Sequence, residues 1–461
     1  MTRARTMALV IGLLIPGLGC AGSDQHVVAE CVAAGPAVLV HVRPGREKSM
    51  GFGVLDGNLL LLHAEALSAE TSPYWRIVAE WHASSGNLLA APEILGVSEL
   101  AIEARLLSAD GALHAQLWVD LNLTLPPAEA DDVLAMWEFR GSEDHLRHRI
   151  DLPISRTRPC ATCGRANLGF DVAGLDAGGG RLPAARTVDG IVSAISAVPE
   201  PCMSTFGNHY RPWIFSAAGG GMVQWWQDER TCALHDWDLE VSNVELVTLD
   251  GLSDLGLLMR LGTGGPYGNV YYVRLHDGQP MGGPRRVGGT WTHYANDGGY
   301  QPEATRIGQH IVFMERAHRP TNGCQVLRRI DFDGHGGGET PWQLPCRDDE
   351  SFYTAASELS TLPVDVDHAG ELGAAVYGQS AAADPTQQGI YLTLLDESGR
   401  RASEIVRVTA EEPGLSSGPY TEITTATEGH SIYVLWTDYR PDAPGRYVRR
   451  FDCAELPTAA P

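Results

Sequence analysis

Residues 308–320, GQHIVFMERAHRP, overlay residues 429–441, GHSIYVLWTDYRP, without a gap when the chain is shifted by 121 positions. The same shift lays VLRRID (326–331) on YVRRFD (447–452). Gly, Ile, Arg-Pro, Arg-Arg and Asp coincide. Each segment has the length and composition of a β-strand, and self-similarity at a fixed distance marks a repeat architecture. Two further strands carry the same ending in an Asp-containing turn, VYYVRLHDG from Val270 and IYLTLLDESG from Ile390. The starts at 270, 326, 390 and 447 are 56, 64 and 57 residues apart, so the shift of 121 is two periods of about sixty.

The stretch IYLTLLDESGRRASEIVRVT (390–409) shows what one such unit contains. Ile390, Leu392 and Leu394 point one way, Tyr391, Thr393 and Leu395 the other. Asp396-Glu397-Ser398-Gly399 is turn chemistry, and Ile405, Val406 and Val408 supply a returning strand. The hairpin is apolar on both faces, so it is expected to be buried between neighbours. Upstream the pattern weakens. Trp226-Gln227-Asp228-Glu229-Arg230 matches Trp436-Thr437-Asp438-Tyr439-Arg440 as W-x-D-x-R, and Arg149-Ile150-Asp151 closes a segment much as Arg450-Phe451-Asp452 does. YWRIVAEWHASSGNLLAAPEIL (74–95) keeps the hairpin form alone, and EADDVLAMWEF (129–139) fits a helix or a strand over Val133 to Phe139. Four short strands every sixty residues predict an all-β protein: a single β-propeller of about seven four-stranded blades, with six or eight open.

The first residues, MTRARTMALVIGLLIPGLGCAGSDQ, carry Arg3 and Arg5 before an apolar run from Met7 to Leu18. That is the form of a secretory signal, too short to span a bilayer. Gly17-Leu18-Gly19-Cys20 resembles the lipobox of bacterial lipoproteins, in which the Cys is acylated and becomes the mature N-terminus. It departs from that motif in placing Gly17, not Leu, three residues before the Cys. The alternative is ordinary cleavage near Ala21 and release of a soluble protein. Ala21, rather than Asp, after the Cys implies outer-membrane sorting in that family. These features divide the chain into a signal (1–20), a short linker (21–30), the propeller (31–453) and a tail (454–461). Without residues 1–20 the chain has 32 basic and 57 acidic side chains, a net charge of −25. Such a surface repels phosphate backbones, which excludes nucleic acid as a partner. The membrane is expected to be reached through the lipid anchor only.

The C-terminal half, with VLWTDYRP (434–441), YVRRFD (447–452) and IYLTLLDESG (390–399), is similar to secreted bacterial β-propeller lipoproteins. The resemblance covers about residues 205–453 and concerns the fold, which does not fix a function. A ring must join its ends to hide two sheet edges. Cys31 precedes the apolar strand PAVLVHV (36–42), and Cys453 follows the last strand, so a Cys31–Cys453 disulfide is expected to clamp that seam. With Cys20 acylated, the other six cysteines fall into local neighbours: Cys160 with Cys163, Cys202 with Cys232, and Cys324 with Cys346.

Several constellations carry possible chemistry. His63-Ala64-Glu65 with Pro159-Cys160-Ala161-Thr162-Cys163 matches the zinc deaminase string formally, but the gap is too long and neither half opens a helix. Cys160 and Cys163 are therefore read as a small disulfide-closed loop, not as a redox pair. Asp331-Phe332-Asp333-Gly334-His335-Gly336 offers oxygen ligands for calcium but lacks the distal Glu of an EF-hand, and an Asp-Gly turn accounts for it. Asp365 and Asp367 share one strand face and would suit glycoside hydrolysis, or simply face solvent. W-x-D-x-R recurs, and a catalytic group is needed once whereas a packing device is needed in each blade. Trp226 and Trp436 are read as inter-blade core, with Asp228/Arg230 and Asp438/Arg440 as hairpin-edge pairs. No catalytic residue, metal ligand or cofactor is assigned. The expectation is a non-enzymatic, outer-membrane lipoprotein that binds or scaffolds a protein or glycan partner. The alternatives are a glycan-active propeller enzyme using channel carboxylates, and a periplasmic or secreted soluble location.

Overall fold

The computed structural model describes residues 29–42, 47–67, 75–98, 103–119, 133–150, 181–182, 184–187, 190–197, 203–204, 207–208, 211–218, 221–227, 240–249, 252–262, 267–288, 290–291, 303–317, 324–344, 352–362, 372–381, 389–409, 423–440, 442 and 444–455. None of these residues lies in a helix, and Val133–Phe139 is a strand.

Among the described residues, seven antiparallel sheets of four or more strands follow one another along the chain. The first blade is Glu47–Leu55, Asn58–Ala66, Trp75–His82 and Glu93–Ser98. The second runs from Leu107–Ala109 to His145–Ile150, the third from Ala184–Thr187 to Gly221–Gln227, and the fourth starts with Glu240–Thr248, Asp254–Gly262 and Tyr267–His276. The fifth runs from Glu303–Ile307 to Gly336–Glu339 and the sixth from Phe352–Leu362 to Val406–Arg407. The seventh combines Ile423–Glu428, Ser431–Asp438 and Gly445–Glu455 with the N-terminal strand Ala29–Ala33 on its outer edge. The leading strand of each blade packs against the next blade, and Ile423–Glu428 of the seventh meets Glu47–Leu55 of the first, so the ring is closed. The structure is a β-propeller whose last blade is completed by the N-terminus.

The repeat is preserved at the level of strand register. In the fifth blade His310 faces Asp331 and Ile311 faces Ile330; in the seventh Ser431 faces Asp452 and Ile432 faces Phe451. These are the same pairs displaced by 121 residues. The four Asp-turn segments seen in the sequence are all third strands of their blades.

Because each blade is sandwiched between two others, both of its faces are apolar, and strands such as Gly389–Leu395 are buried almost throughout. The core is a series of slabs between consecutive blades. Leu392, Leu394 and Val376 of the sixth meet Val434, Trp436 and Phe451 of the seventh, and Phe52, Leu59 and Leu61 of the first meet Tyr433, Leu435 and Val448 of the seventh. Trp436 is thus inter-blade core, stacked on Tyr447, and Asp438 is bound by the Arg440 side chain and backbone N–H at its strand end. Trp226 lies on its strand, while Asp228 and Arg230 fall outside the described residues.

The Asp-containing turns have a mechanical origin. Asp331 Oδ1 accepts the backbone N–H groups of Asp333 (3.0 Å) and His335 (2.8 Å), and Asp396 Oδ1 accepts those of Ser398 (2.8 Å) and Arg400 (2.9 Å). Each Asp holds its own turn closed, as the turn reading of residues 331–336 expected. Asp56-Gly57, Asp110-Gly111 and Asp277-Gly278 make two-residue turns with positive φ at both positions, the twist that matches a hairpin.

One detail differs from the sequence expectation. Cys453 lies inside the Gly445–Glu455 strand and Cys31 inside its own strand Ala29–Ala33, rather than beside the strands. The longer strands arise because Ala29–Ala33 and Val38–His41 both pair along Gly445–Glu455. The two cysteines face each other in register and are joined by a disulfide. Cys324 lies on the Cys324–Asp331 strand. Cys20, Cys160, Cys163, Cys202, Cys232, Cys346, Asp365 and Asp367 fall outside the described residues.

Candidate functional site

The most concentrated group of titratable side chains among the described residues sits at the seam between the first and seventh blades. It is assembled by strand alternation. On the first blade, Glu47 faces Glu65 and Ser49 faces His63 across one pair of strands, so all four side chains share a face. His63 faces Val78 on the next strand, which puts Val78, Glu80 and His82 on that face too. The seventh blade supplies His41 and Arg446, which are opposite each other in register.

Polar residues are unusual here, because the rest of this slab is Phe52, Val54, Leu59, Leu61, Tyr433 and Leu435. His63 is fully buried, and Glu47, Glu80, His82 and Arg446 are buried as well. Glu65 and Arg76 form an ion pair at the more open edge, with Arg76 Nε donating to Glu65 at 2.8 Å.

His41 is the connecting piece. Its Nε2 lies 2.8 Å from Glu47 Oε2 and its Nδ1 lies 3.0 Å from Glu80 Oε2. Carboxylates only accept, so both ring nitrogens donate and His41 is an imidazolium in this arrangement. Burial pulls its pKa down, but the hydrogen bonds and charges of Glu47 and Glu80 outweigh this and raise it to about 9. Burial likewise pushes Glu80 up, and the hydrogen bonds from His41 and His82 more than reverse it, holding the carboxyl well below the usual range. Arg446 approaches Glu47 Oε2 at 3.4 Å. The charges of Glu47 and Glu80 are thus matched by those of His41 and Arg446 without leaving an uncompensated buried ion.

His63 is the exception. Its ring packs 4.8 Å from that of His41 and its Nε2 lies 3.5 Å from Glu65 Oε1, but its Nδ1 is buried with no hydrogen-bond partner. Burial, with the charges of Arg446 and His41, lowers its pKa, so it is neutral. The ligand atoms of His41, His63 and Glu80 all lie within 4.8 Å of one another, as do those of Glu47, His63 and Glu65. Such a set can hold protons in a fixed pattern or accept a divalent cation. The sequence pattern singled out only His63 and Glu65 of this group. Glu47, Glu80, His82, His41 and Arg446 went unnoticed, although Glu80-x-His82 and His63-x-Glu65 are polar pairs at strand spacing inside apolar runs.

A cavity of about 490 Å³ opens elsewhere, at the turns of the fifth and sixth blades, lined by His310, Arg329, His335, Ser398 and Arg400 among others.

No known protein family and no characterised protein matches the sequence. Solved structures with a similar fold include the β-propeller domain of the Trilobed protease from Pyrococcus furiosus, at 7% identity and a TM-score of 0.45 over 90% of this chain and 100% of that one. The puromycin-hydrolyzing peptidase of Mycobacterium tuberculosis matches at 14% identity and a TM-score of 0.42 over 91% of this chain, which spans 55% of the length of that one. The α-L-arabinanase of Penicillium chrysogenum matches at 10% identity and 0.40, over 92% and 98%. At these values the likeness concerns the fold, and no residue role carries over.

Proposed function

We propose that the chain is a non-enzymatic lipoprotein of the cell envelope, exported and anchored in the outer membrane, whose propeller binds a protein or glycan partner on one face. The observation that carries this reading is the asymmetry of the two faces. On one, strands are joined by tight turns such as Asp56-Gly57, Asp110-Gly111, Asp277-Gly278 and Gly429-His430. At the other, successive described strands are separated by much longer stretches of sequence, as between Ile150 and Arg181, Gln227 and Glu240, and Arg407 and Ile423. Variable surfaces built on rigid scaffolds are where binding resides.

The direction of the N-terminal strand fits this arrangement. Ala29 pairs with Glu455 and lies at the tight-turn face. An acyl chain on Cys20 would tether the protein from that face through residues 21–28, at most ~30 Å of chain. The opposite face of the ring then points away from the membrane, toward a partner.

Three experiments test the reading. Wild-type full-length protein is expected in the detergent phase on partitioning and Cys20→Ala in the aqueous phase; aqueous wild-type protein removes the anchor. Affinity capture from envelope extracts and a glycan array, both with the detergent-solubilised full chain, are expected to give a saturable partner. Turnover of a bound glycan by the purified protein would replace the binding function with the glycan-active one.

A further inference from the structure

We propose that the seam between the first and seventh blades is a binding site for one divalent transition metal of the zinc type, held by His41, His63 and Glu80. Two imidazoles and one carboxylate are a donor set that suits such ions, and oxygen-seeking calcium or magnesium would not choose it.

The geometry is close to what coordination requires. Ligand atoms at roughly 2.1 Å around a tetrahedral zinc lie about 3.4 Å apart. His41 Nδ1 and Glu80 Oε2 are 3.0 Å apart, and the full triad lies within 4.8 Å. A small side-chain adjustment of His63 brings the third donor in. His63 is fully buried and its Nδ1 has no hydrogen-bond partner, an unsatisfied polar atom that disfavours the native fold. A metal ion drawn in between the two histidines gives this ring a partner.

The surrounding residues behave as supports for such ligands. Metal binding displaces the Nδ1 proton of His41 to solvent, and with Nδ1 turned toward the metal its Nε2–H still donates to Glu47 at 2.8 Å, the carboxylate–histidine–metal arrangement that fixes tautomer and ring orientation. His82 Nε2 lies 3.2 Å from Glu80 Oε2, and His82 Nδ1 lies 3.2 Å from the Gly86 carbonyl, which positions the Glu80 carboxylate. Glu65 and Arg76 border the group on its more open edge. Because His41 comes from the seventh blade and His63 and Glu80 from the first, the ion would tie the two ends of the ring together at a second point besides the Cys31–Cys453 disulfide.

The test uses untagged full-length protein, thiol-blocked and stripped with EDTA, and Zn²⁺ as the probe. Calorimetric titration is expected to show one Zn²⁺ per chain, with a rise in melting temperature at stoichiometric metal. His63→Gln is expected to weaken binding at least ten-fold, whereas His335→Ala, an exposed histidine at a distant turn, leaves it unchanged. Should His63→Gln fail to fold, zinc-edge X-ray absorption of the wild-type chain reads the ligands directly, with two imidazoles expected. Absence of stoichiometric binding, equal binding by folded His63→Gln, or a zinc shell without two imidazoles would each overturn the proposal.

Discussion

Cys31 faces Cys453 across the outer strand pair of the seventh blade, Cα atoms 4.1 Å apart, and the disulfide joins residues separated by 422 positions. The bond sits within the slab that contains Ile390, Leu392 and Phe451, so it is shielded from solvent reductants. Loop-closure entropy for a loop of that size sets a ceiling of roughly 6 kcal/mol on its contribution, with about 2–4 kcal/mol typical of measured bridges. Cys31→Ser is therefore expected to lower the melting temperature by about 2–4 °C, and to release one free thiol. Thermal melts with thiol titration check it; an unchanged melting temperature would mean that the strand pairing alone secures the seam.

Gly86 is a second seam residue. Its φ is +87°, and a Cβ there would lie 2.4 Å from Val38 Cγ1 and 2.7 Å from the Leu39 carbonyl oxygen. The hairpin loop of the first blade thus presses its backbone directly on the N-terminal segment. Gly86→Ala combines left-handed strain with a backbone clash and is expected to cost about 2–3 kcal/mol. Chemical denaturation measures this. Gly57→Ala, with a similar φ of +71° and open space around it, separates the two terms and is expected to cost only about 1 kcal/mol.

The fold was legible because the repeat is carried by local chemistry. Asp331 and Asp396 close their own hairpins, and the apolar residues on both faces announce strands with neighbours on each side. Residues 308–331 and 429–452 therefore show the architecture and even its register. The seam cluster was not legible for the opposite reason. His41 and Arg446 are 405 positions apart in sequence, and meet only because the N-terminal strands complete the last blade. His63 and Glu65 looked like half of a motif whose other half was sought at Cys160 and Cys163. Their neighbours are instead Glu47 and Glu80, delivered by strand register rather than by any spacing in the chain.

The Asp-closed turns give a third prediction. Asp396 Oδ1 accepts the backbone N–H groups of Ser398 and Arg400 and the Ser398 hydroxyl at 2.6 Å. Asp396→Ala leaves these donors to water and is expected to destabilise by about 1–2 kcal/mol. The matching Asp331→Ala is expected to cost a similar amount, and calcium is expected to leave the melting temperature of the wild type unmoved. A calcium-dependent rise that Asp331→Ala abolishes would convert residues 331–336 from a turn into an ion site.

The last prediction concerns acid. Asp254 is buried in the fourth blade, where it faces His276 in register and is bound by His276 and Arg274. Arg274 reaches on to Asp333 at 2.9 Å, and the Tyr272 hydroxyl donates to the Phe332 carbonyl at 2.7 Å, so the fifth-blade turn is latched to the fourth blade at this point. Burial raises the Asp254 pKa, but the hydrogen bonds from Arg274 and His276 outweigh it and hold the carboxyl below its usual value. A depressed folded-state pKa stabilises the fold above the unfolded value near 4 and loses that contribution as pH falls through the folded one. Melting temperature is therefore expected to drop below about pH 4, and Asp254→Asn is expected to lower it at neutral pH while flattening the acid limb. A variant that melts lower at pH 7 but keeps the full acid slope would show that the latch is held by packing of Tyr272, and that other carboxylates set the acid limit.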